Sequence, residues 1–454
     1  MVVVVVVSAC AQDPTATSVT STLQTHGPAH TPTGLVATVS SAGSIDTSNE
    51  FFQDLGTNGR RCVSCHNPVA GWTVTPKLLE KVFEDTDGGV DPDDFGLGAV
   101  FRTNDGSTSP NADVSTTAAR RVAYRMLLTK GLIRVGLPVP ANAEFELAAV
   151  DDPYGHASAA ELSLFRRPLP ATNLTFLSTV MFDGRETFAG FTIDQDLADQ
   201  ANGATMGHAQ GMPLTQAQRA SIVAFETSLH TAATFDTLAK DLTKYGATGG
   251  PEALAAQAFY IGINDLFGDS RTAAAFDPTV FTLYDAWASA PGGSARRAVA
   301  RGQALFNHRQ FAITGVSGIN DEPAFGSPES VTGTCSTCHD APNVGDHSVV
   351  APLNIGIADG TRRTPDLPLY TFRNKTTGAT VTVTDPGRAL ISGRWKDIGR
   401  FKGPILRGLP ARAPYFHNGS APDLAAVVDF YDDRFGIGFT AQEKADLVAF
   451  LRTL

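Results

Sequence analysis

Cys62-Val63-Ser64-Cys65-His66 reads C-x-x-C-H, and the pattern returns at Cys335-Ser336-Thr337-Cys338-His339. This is the attachment signature of a c-type haem. Two thiols add across the haem vinyl groups, and the adjacent histidine reaches the iron as proximal ligand, so all three must sit within one turn of chain. One C-x-x-C alone would equally suit a zinc half-site or a redox pair. A Cys₄ zinc site needs neither histidine. Two copies, each followed by His in a chain of five cysteines, point to two covalently bound haems.

With 454 residues, 18% charged and 42% hydrophobic, the chain has material for two or three globular domains. A formal charge of −11 argues against a nucleic-acid partner. It does not decide docking to a redox protein, which depends on local patches. Four cysteines belong to the haem motifs and only Cys10 remains, so no disulfide is expected. Covalent haem attachment takes place outside the cytoplasmic membrane, so the periplasm or surface of an exporting bacterium is the expected location. Residues 1–10 read as an export signal. Val7-Ser8-Ala9-Cys10 looks like a lipobox, which would make Cys10 a lipid anchor, although a basic n-region is missing. The alternative is an ordinary signal peptide. The segment is too short to span a bilayer, and no other stretch reaches ~18 uninterrupted apolar residues.

Residues 11–45, rich in Ser, Thr, Ala, Gly and Pro, read as a flexible tether carrying His26 and His30. Residues 49–59 read as a short helix leading into the first haem motif. Residues 85–94 have the composition of a calcium loop without EF-hand spacing, and read as a solvated loop. Residues 116–129 have helical periodicity, and 132–150 alternate as an extended segment. Thr215 is a candidate N-cap for an amphipathic run that ends Ile222-Val-Ala-Phe225. Thr440 opens a matching run that ends Leu447-Val-Ala-Phe450. Each follows a C-x-x-C-H in its own half. This echo leads us to expect a mainly α fold of two packed cytochrome-c-like domains, residues 46–240 and 293–454. The segment 241–292 would connect them through an Ala-rich helical run.

Three further stretches extend the pattern: Phe182-Asp-Gly-Arg185, Phe401-Lys-Gly-Pro-Ile-Leu-Arg407 and Pro414-Tyr-Phe-His-Asn-Gly-Ser420. With the haem motifs and Val427-Val-Asp-Phe-Tyr431, they resemble the bacterial di-haem cytochrome c peroxidase and MauG family over most of residues 50–454. The resemblance implies a peroxide-binding N-terminal haem on His66 and a six-coordinate, electron-relaying C-terminal haem on His339. The family's sixth ligand there is Met, or Tyr in the MauG branch. The five methionines here are Met1, Met126, Met181, Met206 and Met212, so the C-terminal half has none. The matching position is Tyr431; its other reading is a core tyrosine with a hydrogen-bonded hydroxyl. His347 is the second candidate ligand. His417 would brace a propionate or the domain interface, and His308 would be surface or core.

On the distal side of the first haem, the family's inter-haem Trp falls at Phe182. Trp72 would either substitute for it or be core. The family's Gln matches Gln200, and its acid/base Glu falls near Gln210. His208 is the natural replacement acid/base, with iron ligation or a core role as its alternatives. Glu186 is a second acid/base candidate, and Arg185 would pair with a propionate. An interdomain calcium held largely by backbone carbonyls is left open, because the family's Thr there is Arg412.

The implied activity is reduction of hydrogen peroxide, with electrons from a small cytochrome c or cupredoxin. Its rivals are MauG-like oxidation of a protein substrate, a non-catalytic electron-transfer cytochrome, and oxygen-dependent cleavage of an organic substrate. A homodimer follows by analogy only.

Overall fold

The computed structural model describes residues 28–289 and 293–454. The export-signal reading of 1–10, Cys10 and His26 lie outside them. Strands β1 (Ala29–Thr31) and β2 (Gly34–Ser40) come first, then α1 (Cys62–Cys65), which carries the first haem motif, and α2 (Pro76–Thr86). Next are α3 (Thr117–Ala123), capped by Thr116, and α4 (Arg125–Lys130), then β3 (Ile133–Leu137), β4 (Phe145–Asp151) and β5 (Leu162–Arg166). The first half closes with α5 (Ile193–Gly207), α6 (Gln216–Ser228), β6 (Leu229–Asp236) and β7 (Lys240–Asp241). After α7 (Pro251–Ala255), the second half holds α8 (Ser294–His308), β8 (Phe311–Thr314), β9 (Ser330–Gly333), β10 (Leu369–Asn374) and β11 (Thr380–Val383). It ends with α9 (Ala389–Ser392), α10 (Leu424–Phe435) and α11 (Ala441–Leu451).

The echoed helices are capped alike. Thr215 Oγ1 accepts from the Gln218 backbone N–H while the Gln218 side chain accepts from that of Thr215, and Thr440 and Glu443 repeat the exchange. In the second half α11 crosses α8 at Gly302, where a Cβ would lie 2.0 Å from the Asp446 carbonyl oxygen. Arg301 grips Asp446 through Nε and Nη2, each at 2.7 Å, and Phe281, Phe306 and Phe450 pack edge to face beside the crossing. In the first half the helix expected over 49–59 is one 3₁₀ turn, Glu50–Phe52. The Gly56 backbone runs too close to Ala209 to carry a helix past it. Phe51 and Phe52 still dock on Phe225 of α6, at ring distances of 5.1 and 5.4 Å.

The mainly α expectation needs correction. About a third of the chain is helical, and among the described residues the strands form four antiparallel sheets. Part of the expected tether is β1 and β2, in the sheet β1-β2-β6-β7. Its Ser and Thr content reflects polar rungs: Thr38 bonds Thr231 at 2.8 Å and Ser40 bonds Ser228 at 2.9 Å, hydroxyl to hydroxyl. His30 lies in β1 opposite Leu35. β4 of the first half pairs with β10 of the second. The segment read as a connector contributes Val280, Phe281, Leu283, Tyr284 and Trp287 to the same core as Val36, Val299 and Phe450, and among its described residues the helical parts are Pro251–Ala255 and a 3₁₀ turn, Asp285–Ala288. The two halves therefore share one sheet and a core.

Replacing Gly302 with Ala should push α8 off α11. We expect a loss of about 1–3 kcal/mol in urea unfolding, and an unchanged midpoint would mean that the crossing is looser than described.

Candidate haem centres

Two cavities each contain one C-x-x-C-H. Cys62, Cys65 and His66 line the first; Cys335, Cys338 and His339 line the second. None of these four cysteines is in a disulfide. His66 Nδ1 donates to the Trp72 carbonyl at 3.3 Å, and His339 Nδ1 to that of Gly345 at 2.6 Å. Each ring is thereby fixed in the tautomer that leaves Nε2 for a metal. Burial lowers His66 to about 4, so its imidazole is neutral at pH 7. Trp72 is core: it is fully buried, its indole N–H donates to Thr38 Oγ1 at 2.9 Å, and it lines neither cavity.

Gln200, Arg185 and His208 also line the first cavity, whereas Glu186 does not, so adjacency to Arg185 in sequence did not bring it to the site. His208 follows the last turn of α5, and its Nδ1 donates to the Asp105 carboxylate. Arg60 clamps the other Asp105 oxygen and is itself fixed by the carbonyls of Ala99 at 2.8 Å and Val100 at 2.9 Å. Burial alone would raise the Asp105 carboxyl, but the His208 hydrogen bond and the Arg60 charge hold it below the usual carboxylate range. Asp105 and Arg60 escaped sequence reasoning, because Asp105 sits in a polar turn with no periodicity.

The first cavity also contains charge without a partner. Arg412 is half-buried and lines it, with Nη1 on the Ile405 carbonyl at 3.1 Å, while its Nε and Nη2 are out of solvent with no hydrogen-bond partner among the described residues. Burial lowers this guanidinium to about 9, so it is still charged at neutral pH. A buried cation with idle donors calls for an anion. Haem brings two carboxylates, and with the cysteine pair and the oriented histidine the residues present fit it. Arg185, assigned to a propionate by sequence, lines the same cavity but leans on Asp183 at 3.3 Å.

In the second cavity Tyr431 of α10 faces the motif. Burial, then Cys338 and Cys335, push its phenol well up. The hydroxyls of Tyr124, Tyr284, Tyr370 and Tyr415 each donate to a backbone carbonyl. That of Tyr431 has no hydrogen bond among the described residues, which sets it apart from a core tyrosine. His347, on the loop whose Gly345 carbonyl braces His339, also lines this cavity, and burial takes it to about 3. His308 is exposed. His417 is buried and stacks on Phe401 at 4.0 Å, with Phe182 edge-on at 6.1 Å. Phe182, Lys402 and Pro404 line both cavities, so one layer of side chains separates them.

The family described as RoxA-like, cytochrome c-like matches residues 400–435. Cytochrome-c peroxidase IdrP1 of Pseudomonas sp. (strain SCT) is 32% identical over 140 residues, 26% of this chain and 36% of that protein. Cytochrome-c peroxidase IdrP2 of Denitromonas iodatirespirans is 34% identical over 132 residues, 27% of this chain and 36% of that protein. The chain thus spans about a third of the length of the curated relatives it matches. Over residues 400–435 the chain is similar to cytochrome-c-like domains. More narrowly, about a quarter of the chain is similar to bacterial cytochrome-c peroxidases. Among solved structures, a MauG-like protein associated with microbial copper homeostasis aligns over 94% of this chain and 93% of its own, at 16% identity and a TM-score of 0.40.

If both motifs are loaded, a pyridine haemochrome assay on the purified protein gives two haems per chain. The double variant Cys335→Ala/Cys338→Ala then retains one, and retention of both would refute attachment at that motif.

Proposed function

We propose that the protein reduces hydrogen peroxide at the first cavity, with electrons relayed through the second. The observation that carries this reading is the unlike lining of two like cavities. Both present a braced histidine, but the first adds the proton-active pair His208–Asp105 with Gln200, and the second adds the unbonded hydroxyl of Tyr431. Haem attached at each motif would supply the iron and the redox equivalents that cleave the O–O bond. Cys62, Cys65 and His66 would hold the first haem, with Arg412 on a propionate. Cys335, Cys338, His339 and Tyr431 would hold the second.

The protein's own part is proton management. Asp105 accepts the Nδ1–H of His208, so Nε2 presents a lone pair to the cavity. His208 takes the proton from the peroxide oxygen nearer the haem and returns it to the far oxygen, which departs as water. Two electrons and two further protons complete the second water. Gln200 orients the peroxide by hydrogen bonding, and Asp105 and Arg60 act by positioning His208. The electron donor is a small cytochrome c or cupredoxin, met in the periplasm, with Cys10 as a lipid anchor. Among the described residues no helix is long and apolar enough to cross a membrane. A second reading, oxidation of residues on another protein, is favoured by Tyr431, since a phenolate ligand favours higher oxidation states. Phe182 at the wall counts against a route through a Trp radical.

Stopped-flow mixing of the diferric protein with stoichiometric peroxide tests both readings. His208→Ala should slow the reaction about 10²–10⁴-fold at unchanged haem content, and Asp105→Ala should slow it by less. A full rate in His208→Ala would remove the acid/base assignment. Reaction without prior reduction would favour the MauG-like branch, and inertness in both redox states would leave an electron carrier.

In the same protein Tyr431→Phe should alter the ferric EPR signal of one haem while leaving the other intact. An unchanged spectrum would take Tyr431 off the iron.

A further inference from the structure

Arg167 is buried, and each of its guanidinium contacts ends on a backbone carbonyl. Nη1 donates to Lys130 at 2.7 Å, and Nη2 to Val74 at 2.6 Å and Arg412 at 3.2 Å. Val74 and Lys130 belong to the first half and Arg412 to the second. The Arg167 backbone N–H makes a further link across the halves, to the His417 carbonyl at 2.7 Å. The chain is shaped around this group. Gly131 ends α4 at φ +62, and a Cβ there would lie 2.3 Å from Arg167 Nη1. Gly419, four residues past Tyr415, leaves Lys130 just enough room, its own Cβ position being 3.3 Å from the Lys130 carbonyl oxygen.

We infer that Arg167 is a built-in cation that occupies the carbonyl cluster between the halves, so that the protein neither holds nor needs a calcium ion there. Calcium takes six to eight oxygens. Here the carbonyl of Arg412, at the position where the resemblance places the calcium-binding Thr, already accepts from Arg167. A divalent ion at that carbonyl would face the Arg167 guanidinium within the same buried cluster, with the Arg412 guanidinium close by. Neither guanidinium has a carboxylate partner among the described residues, and no cluster of three or more His, Cys, Asp or Glu side chains there could hold a metal. Burial, opposed by Tyr415, lowers Arg167 only to about 10, so the group is charged at neutral pH. Unlike a bound ion, this cation cannot be chelated away.

The test uses the full-length haem-loaded protein. After dialysis into calcium-free buffer, elemental analysis should find no stoichiometric calcium, and thermal unfolding should give one midpoint in 1 mM calcium chloride and in EGTA. Arg167→Ala should lower that midpoint by about 3 °C or more, with haem content unchanged. One calcium per chain, or a midpoint that falls in EGTA, overturns the inference. So does an Arg167→Ala protein as stable as the parent. If that variant does not accumulate, the measurements on the unaltered protein decide alone.

Discussion

Arg166 is the tie on which the two-cavity arrangement depends. It joins Asp183 of the first half to Asp385 of the second, and all three side chains are buried. Taking three charges out of water costs several kcal/mol per ion. The cost is offset only by good geometry, and toward Asp385 it is bidentate: Nε to Oδ2 at 2.7 Å and Nη2 to Oδ1 at 2.9 Å. Loss of one member would strand a buried charge, which costs about 3–5 kcal/mol. Phe182 precedes Asp183 in the chain, and the Arg166 guanidinium lies over the Phe401 ring. The triad thus fixes the layer between the cavities, and with it the distance an electron would cover.

Charge is distributed to match. Lys402, at the same wall, is buried with its ammonium on the Thr179 carbonyl at 2.7 Å, and burial lowers it to about 8. Arg412 keeps donors free for an acid that arrives with the cofactor, while Arg167 turns both terminal nitrogens onto backbone carbonyls. Neighbouring buried guanidinium groups therefore do opposite work. One makes the site incomplete without haem, and the other makes the contact between the halves complete without a metal.

Local placement was legible in the sequence. The haem motifs, the Thr215 and Thr440 caps, and the placement of His208, Gln200 and Tyr431 at the cavities all rest on short spacings or on order along the chain. What could not be read is long-range and polar. β2 looked like tether because its Ser and Thr bond to a strand nearly two hundred residues away. Asp105 and Arg60 meet His208 only in the fold. Glu186 was misplaced because a neighbour in sequence need not face the same cavity. The connector hid Phe281, Tyr284 and Trp287, whose apolar character is plain but whose target, the α8–α11 core, leaves no local pattern.

The first strands carry a consequence for how the molecule is assembled. Ala29 and Val36 are buried in one cluster with Phe450 and Leu454, and the Ala233 backbone N–H donates to the Leu454 carbonyl at 3.1 Å. The opening of the described chain cannot reach its native surroundings until the last helix has been made. Such distant closures are slow. The cavity that holds Cys62 and Cys65 is likewise walled in part by Lys402, Pro404, Ile405 and Arg412, so these thiols are not enclosed until the second half has been made. A fold that closes last around its first attachment motif leaves time for covalent chemistry before burial seals the cavity.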